Sequence, residues 1–243
     1  MGLVILNGKR FEDNDFVINF DDACLYGRDV QLLESSTGWL NDTCIHYYFR
    51  RLASKDNSRS IFLDPSVVSF LMHQCDDNDD LVDISRGYDN WTCSRLFVPI
   101  NDNLSSENWT TPGAGTHWSL LVIVPAQSPL YLHMDSVPGS KNALTAQAVA
   151  EKWEEAYWLT LPYQNERAIR VQELDVPSQR NGNDCGMHVL AAVRALQGVE
   201  AEASVAVYRA KLADTLEKDL SKNTMFMKDF RREIVDEIAS FVS

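Results

Sequence analysis

The sequence has few cysteines, a shortage of basic residues and no long hydrophobic run, and each of these excludes a class of protein. Its 243 residues include five cysteines, an odd number with no CxxC pair, which argues against a disulfide framework or a zinc knuckle. Lys and Arg number 22 against 35 Asp and Glu, giving a net charge of −13, whereas nucleic-acid binding requires clustered positive charge. No window approaches the roughly 18 apolar residues of a membrane span, and the N-terminus lacks the basic region of a secretion signal.

These absences predict a protein with reduced thiols that binds neither nucleic acid nor membrane and resides in the cytoplasm or nucleus. We expect it to be monomeric and to need no cofactor or metal. The acidic run DDNDD at 76–80 resembles the start of a calcium loop. Its sixth position is Leu81 and its twelfth is Gly87, where an EF-hand requires glycine and an acid. The run therefore does not predict a calcium site.

Hydrophobic periodicity predicts a mixture of strands and helices. Strands are predicted at 94–100, 117–124, 130–135 and 168–176, and helices at 39–53, 64–75, 140–159, 185–197, 202–220 and 226–241. Residues 1–25 form short apolar stretches and are expected to be an extra strand or an arm over the substrate. No linker or repeat divides the chain. We predict one α+β domain spanning 1–243, with a mostly antiparallel sheet flanked by helices.

The stretch NGNDCGMHVLAAVRAL at 181–196 changes from turn-forming residues to an apolar helix at Cys185. A thiol in the first turn of a helix lies beside unpaired amides and the positive end of the helix dipole, both of which favour a thiolate. The same amides can bind an oxyanion. Gly182 and Gly186 are expected to allow close approach of the backbone. The alternative for Cys185 is a buried cysteine in a core helix.

A thiol nucleophile needs a base, a group that orients the base and an oxyanion donor. His117 follows the glycine-rich loop TTPGAGT and begins the most apolar strand, while Asp135 ends the next strand. If the two strands form a hairpin, these residues are neighbours across it, and a carboxylate beside an imidazole fixes its tautomer. Gln179 lies in the loop before Cys185 and is a candidate oxyanion donor. Alone, Asp135 would be read as an ordinary turn residue.

The four other histidines fit catalysis less well. His46 and His73 lie within amphipathic helices, where packing or surface roles are more common. His133 lies within an alternating strand. His188 follows Cys185 by three residues on the same helix, but it extends inward rather than over the helix start.

The order His117, Asp135, Gln179, Cys185, with the motifs HW, HMDS and DCG around them, resembles the ubiquitin-like-protein proteases. These are the SUMO and neddylation-modifier cysteine proteases of the adenain-like clan, with a papain-like fold. GWLND at 38–42 and VPIND at 98–102 also match. THWSLLV and AQAVAEKWEEA at 146–156 look most like the deneddylase (sentrin-specific protease) branch.

The resemblance implies a hydrolase that cleaves after the C-terminal Gly-Gly of a ubiquitin-like modifier. Cys185 would be the nucleophile, His117 the base and then acid, Asp135 the orienting group and Gln179 the oxyanion donor. Trp39 and Trp118 would cover the narrow channel that holds the diglycine, with core packing as their alternative role. Asp42 would meet a basic residue of the substrate tail. Either Asn41 or Asp42 can cap the following helix, which is the competing role for Asp42, and one residue could fill both roles.

The partner implied is the neddylation modifier and its conjugates, with SUMO or ubiquitin as alternatives. An acetyltransferase of the same clan would use a similar set of residues, but it would not need a diglycine channel. A non-catalytic module that only binds a modifier would not need His117 or Asp135.

Overall fold

A computed structural model describes residues 2–88, 93–105, 115–126, 128–160, 168–200, 203–217 and 225–242. The strands are β1 (Leu3–Leu6), β2 (Lys9–Glu12), β3 (Phe16–Phe20), β4 (Ala23–Tyr26), β5 (Ile61–Phe62), β6 (Leu96–Asn101), β7 (Trp118–Val124), β8 (Leu130–Met134) and β9 (Val171–Leu174). The α-helices are α1 (Gly27–Glu34), α2 (Asp42–Ala53), α3 (Pro65–His73), α4 (Asn78–Gly87), α5 (Asn142–Trp158), α6 (Cys185–Leu196), α7 (Val205–Leu212) and α8 (Phe226–Phe241). A 3₁₀ turn spans Asp102–Ser105, and a π-helical turn at Ala213–Glu217 continues α7.

The central sheet has the order β5-β6-β7-β8-β9 and is flanked by helices, so the α+β class is confirmed. Its inner pairs, β6 with β7 and β7 with β8, are antiparallel. Its outer pairs, β5 with β6 and β8 with β9, are parallel, which makes the sheet mixed rather than mostly antiparallel. Both parallel pairs join strands separated by helices, α3 and α4 in one case and α5 in the other, as parallel pairing requires a crossover.

Strand β7 lies at the centre of the molecule, and all seven of its residues are buried. Its alternate side chains enter two separate cores. Leu120 and Val122 pack on the side of α6, whereas Leu121 and Ile123 pack on the side of α3, α4 and α5. Each fully buried aliphatic side chain contributes about 1.5–3 kcal/mol to folding. The first residues of this strand are therefore held from both faces.

The N-terminal residues form two β-hairpins, β1 with β2 and β3 with β4. Asn7 and Gly8 form the first turn with φ values of 48° and 80°, the backbone that favours Asn-Gly in a two-residue hairpin turn. Val4, Leu6 and Leu25 are buried in the same core as α6. Neither a single extra strand nor an arm describes these residues.

Helix α4 is absent from the sequence prediction, which treated its first residues only as a rejected calcium loop. Asp77 caps it by accepting a hydrogen bond from the Asp80 amide at 3.0 Å, and Leu81 and Ile84 pack into the core. The acidic run is thus a helix cap and first turn, where negative charge is favourable. The other predicted helices agree with the structure to within a few residues. Residues 202 and 218–220 of the predicted 202–220 helix lie outside the described residues.

Within the described part of the chain, the helices are too short or too polar to cross a membrane.

Arg95 is fully buried and binds the C-terminal end of α6. Its guanidinium donates to the carbonyl oxygens of Leu196, at 2.8 Å, and Val199. Because R95M would leave these two carbonyls without a charged donor, we expect it to lower the free energy of unfolding by about 3 kcal/mol. Urea unfolding measures this change. R232M, which removes a guanidinium exposed at the surface and paired with Asp229, should change stability by less than about 0.5 kcal/mol. An equal effect of both substitutions would contradict the capping role of Arg95.

Candidate active site

Cys185 is the first residue of α6, as predicted, and its side chain is a buried free thiol. The preceding turn is formed by Asn181, whose side-chain oxygen accepts hydrogen bonds from the amides of Asn183 and Asp184 at 3.1 and 3.0 Å. The first helical bond runs from the His188 amide to the Asp184 carbonyl at 2.9 Å. The amides before His188 therefore lie outside the helical ladder and can face a ligand.

The two glycines near Cys185 differ in what surrounds them. A Cβ at Gly186 would lie 2.9 Å from the Leu40 Cβ, whereas a Cβ at Gly182 would meet nothing within 4 Å. Close approach therefore requires glycine at Gly186 only. The contact with Leu40 brings the start of α6 against the segment that carries Trp39.

His117 and Asp135 are in direct contact. The His117 Nε2 lies 2.6 Å from Asp135 Oδ1. His117 immediately precedes β7 and Asp135 immediately follows β8. The register pairs Leu120 with Met134, so Asp135 lies opposite Ser119 and reaches His117 along the diagonal, rather than from directly across the hairpin.

Both residues are held in place by further hydrogen bonds. Asp135 accepts from the Val137 amide at 2.7 Å and from the Ser140 hydroxyl. Asp102 accepts from the His117 amide at 3.1 Å, and its own amide donates to the His117 carbonyl at 3.2 Å. Asp102 belongs to the VPIND motif at 98–102. Its role, which was not predicted from the sequence, is to hold the backbone of His117. Residues 110–114 of the predicted glycine-rich loop lie outside the described residues.

Cys185 completes the set, because its side chain lies close enough to His117 to act on the pKa of the imidazole. Burial by itself lowers the pKa of His117. The hydrogen bonds with Asp135 and Cys185, together with the negative charges of these two groups, outweigh burial and raise that pKa to about 9. Burial raises the pKa of Asp135, but hydrogen bonds from His117, Ser140 and Val137 more than offset it, and the pKa falls below its usual value of 3.8. At neutral pH the imidazole is therefore protonated and paired with a carboxylate, the environment that favours a thiolate at Cys185.

Gln179 lies beside this set but is also bonded within its own loop. Its side-chain oxygen accepts from the Ser136 hydroxyl at 2.8 Å, and its Nε2 donates to the Asn181 carbonyl at 2.6 Å. A side-chain amide carries two N–H donors, so one remains for an oxyanion. Its role as the oxyanion donor stays a prediction.

The two tryptophans lie on neighbouring segments: Trp39 precedes α2, and Trp118 begins β7. The Trp118 indole is buried and donates to the Leu40 carbonyl at 2.9 Å. Trp39, the residue before Leu40, exposes 43% of its surface. Trp118 is therefore buried as its core-packing alternative predicts, whereas Trp39 is not, and the role of both rings over the diglycine channel stays a prediction.

Comparison with known protein families matches residues 38–225 to the Ulp1 protease family, C-terminal catalytic domain. The chain belongs to the Ulp1 protease family. It is 28% identical over 187 residues to NEDD8-specific protease 1 of Arabidopsis thaliana, covering 76% of each chain. It is 31% identical over 185 residues to sentrin-specific protease 8 of Homo sapiens, covering 74% of this chain and 80% of the relative.

Solved structures agree on the fold. The C-terminal Ulp1 protease domain determined in complex with Smt3, the yeast ortholog of SUMO, matches with a TM-score of 0.64 and 18% identity. This match covers 94% of the present chain and 89% of that one. The Ulp1-like SUMO protease catalytic domain of Chaetomium thermophilum matches with a TM-score of 0.58 and 20% identity, over 89% and 79% of the two chains. The molecule is therefore a Ulp1-family cysteine protease, and the predicted site residues all lie within the matched span 38–225.

In this Ulp1-family protease Asp42 does not cap α2. Asn41 does so, accepting from the Cys44 amide at 2.9 Å, so the predicted alternative of capping by Asp42 is wrong. Burial, followed by the charge of Asp64, raises the pKa of Asp42. A carboxylate in this environment would be stabilised by a nearby cation, which is consistent with the predicted contact to a basic residue of the substrate.

The other histidines are not positioned as the catalytic base. His188 shares a small cavity with Cys185, but burial lowers its pKa to about 4, so it is neutral at physiological pH. His133 is fully buried between Glu173, at 2.8 Å, and the Ser119 hydroxyl, at 2.8 Å. It connects three strands of the sheet. Among the described residues, His, Cys, Asp and Glu form no cluster of three or more suited to a metal ion.

Proposed function

We propose that this Ulp1-family protease cleaves after the C-terminal Gly-Gly of a ubiquitin-like modifier, and that the modifier is NEDD8. The observation that carries the chemistry is the contact of Cys185, His117 and Asp135. The choice of modifier is supported by the similarity to a NEDD8-specific protease and to sentrin-specific protease 8 along three quarters of the chain.

The geometry supports acyl transfer through a thioester. The Cys185 thiolate would attack the carbonyl carbon of the terminal glycine, while amides at the start of α6 and the free N–H of Gln179 stabilise the oxyanion. The His117 imidazolium would then donate its proton to the leaving amine as the C–N bond breaks. Water, deprotonated by His117, would then attack the thioester carbonyl and expel the Cys185 thiolate, which restores the imidazolium at His117 and releases the modifier with a free C-terminal carboxyl group.

Asp135 keeps the ring in the orientation required for both proton transfers. Its carboxylate faces Nε2, which leaves Nδ1 as the ring nitrogen for Cys185. It also stabilises the imidazolium present before attack and after each turnover.

The diglycine specificity follows from the surroundings of Cys185. Leu40 packs on Gly186 and accepts a hydrogen bond from Trp118, so Trp118 and the neighbouring Trp39 would form the walls of a narrow channel that leads to Cys185. Only a tail without side chains would thread a channel of this kind, so larger C-terminal residues would be excluded sterically.

The test is a panel of C-terminal fluorogenic substrates made from NEDD8, SUMO and ubiquitin. We expect kcat/KM to be at least about tenfold higher for NEDD8, because a single specific contact discriminates by about 1–3 kcal/mol. Faster hydrolysis of SUMO or ubiquitin would reassign the modifier within the same chemistry. Binding without turnover of all three would overturn the proposed reaction and favour a binding module.

A further inference from the structure

Helix α8 contains a buried arginine directly behind the active site. Arg231 exposes only 2% of its surface although it lies in the middle of a helix. A buried guanidinium is costly unless its donors are bonded and its charge is paired. Arg231 follows residue 225, where the family match ends, so the family comparison assigns it no role.

The donors of Arg231 reach three acceptors from separate parts of the chain. Nη1 donates to the Leu32 carbonyl at 2.9 Å. Nη2 donates to the Gly38 carbonyl at 2.9 Å and to Asp184 Oδ1 at 2.7 Å. The contact with Asp184 is a buried ion pair, with both side chains at most 10% exposed.

Two of these acceptors immediately precede residues of the active site. Asp184 is followed by Cys185, and Gly38 is followed by Trp39. The chain folds tightly around the guanidinium here, since a Cβ at Gly38 would lie only 2.4 Å from the Leu32 carbonyl oxygen. A single planar side chain therefore fixes the start of the nucleophile's helix relative to the segment that carries Trp39.

We propose that Arg231 is a positioning residue for catalysis, which sets the distance between Cys185 and the Trp39 segment through Asp184 and Gly38. It does not touch the reacting atoms. Two weaker connections run in parallel: Asn183 donates to the Ser36 carbonyl at 3.0 Å, and Trp118 donates to the Leu40 carbonyl. Each of these is a single bond between neutral groups, whereas the guanidinium fork binds Leu32, Gly38 and Asp184 at once.

The consequence concerns kcat more than KM. A shift of about 1 Å in the nucleophile can reduce the chemical step by about 10²-fold while leaving distant substrate contacts intact. Because Arg231 is buried, it would not meet the modifier itself, and its replacement should leave KM nearly unchanged. Lysine would keep the positive charge but not the fork, so R231K tests the geometry rather than the charge.

The experiment compares R231K and R231Q with a matched control, E237Q, in the full chain. Glu237 lies on the same helix and holds it to α2 through Arg51 and through Lys55, at 2.8 Å, away from the cleft. We expect R231K to lower kcat on the C-terminal substrate about 10- to 100-fold with KM changed by less than about threefold. E237Q should stay within about twofold of the unsubstituted protein in both kcat and KM. This should hold even if its thermal unfolding temperature falls as far as that of R231K.

The proposal rests on Cys185 being the nucleophile of the proposed function, so a second readout does not require a modifier. The rate of Cys185 alkylation by iodoacetamide at neutral pH should also fall in R231K and not in E237Q. Circular dichroism establishes that each variant is folded, and R231K serves if R231Q does not fold. Unchanged kcat and alkylation in folded R231K, or equal losses in E237Q, would overturn the positioning role. Failure of every modifier substrate with the alkylation difference intact would instead overturn the proposed function alone.

Discussion

C185A is expected to lower kcat/KM on the NEDD8 C-terminal substrate by at least about 10⁴-fold, because the covalent intermediate cannot form without the thiol. Removal of a nucleophile abolishes the two-step route and leaves only the oxyanion donors and binding contacts. Steady-state fluorescence measures the rate, and the same variant should retain modifier binding. The loss should fall on kcat rather than KM.

The matched control for this substitution is C24A. Cys24 is partly exposed and lies on β4. It forms no observed hydrogen bond with His117, Asp135 or Gln179. Its replacement should leave kcat/KM within about twofold. Substantial turnover by C185A, or an equal loss in C24A, would show that another group carries the reaction.

D135N is expected to lower kcat/KM by about 10²- to 10⁴-fold, because an amide can neither fix the ring nor stabilise the imidazolium as a carboxylate does. The effect should be visible in the pH dependence of Cys185 alkylation. In the unsubstituted protein the pKa of His117 is about 9, so the imidazolium that stabilises the thiolate persists until the pH rises through that value. Loss of the Asp135 charge and hydrogen bond should move this limit to lower pH.

The shifted pKa values of His117 and Asp135 also predict how their contact contributes to the stability of the folded protein at different pH. The raised pKa of His117 contributes stability that is full below the usual value of 6.5 and is lost as the pH rises through about 9. The lowered pKa of Asp135 contributes stability that is present above 3.8 and is lost as the pH falls through the folded value. D175N, a substitution at an exposed aspartate just after β9, should shift neither limit. An unchanged alkylation profile in D135N would contradict the assigned contact.

The parts of the site that could be predicted from the sequence are those fixed by local chemistry. The start of α6 at Cys185 follows from the turn residues before it and the apolar run after it. The proximity of His117 and Asp135 follows from a short hairpin with a buried strand. In each case the local pattern admits one arrangement, and tertiary packing preserves it.

The parts that escaped prediction depend on partners distant in the chain. The choice of Asn41 over Asp42 as the cap of α2 depends on a distant partner. The side-chain Nδ2 of Asn41 donates to Asp29 at 2.7 Å, which holds this side chain where its oxygen caps the helix. The parallel pairing of β5 with β6, and of β9 with β8, depends on helices that cross over the sheet. The role of Arg231 depends on its contacts with Gly38 and Leu32, which precede it by 193 and 199 positions in the sequence. Hydrophobic periodicity carries no information about contacts at such separations. The N-terminal hairpin is different, because its Asn7-Gly8 turn was a local signal that the sequence reasoning overlooked.

The most direct test is to react the protein with NEDD8 carrying a C-terminal electrophile and to identify the modified residue by mass spectrometry of the digested adduct. The arrangement of a helix-start thiol, a protonated imidazole and a buried carboxylate predicts one adduct, on Cys185, whose formation slows in D135N and stops on unfolding. An adduct on any other cysteine, or labelling of Cys185 at the same rate in folded and unfolded protein, would contradict it.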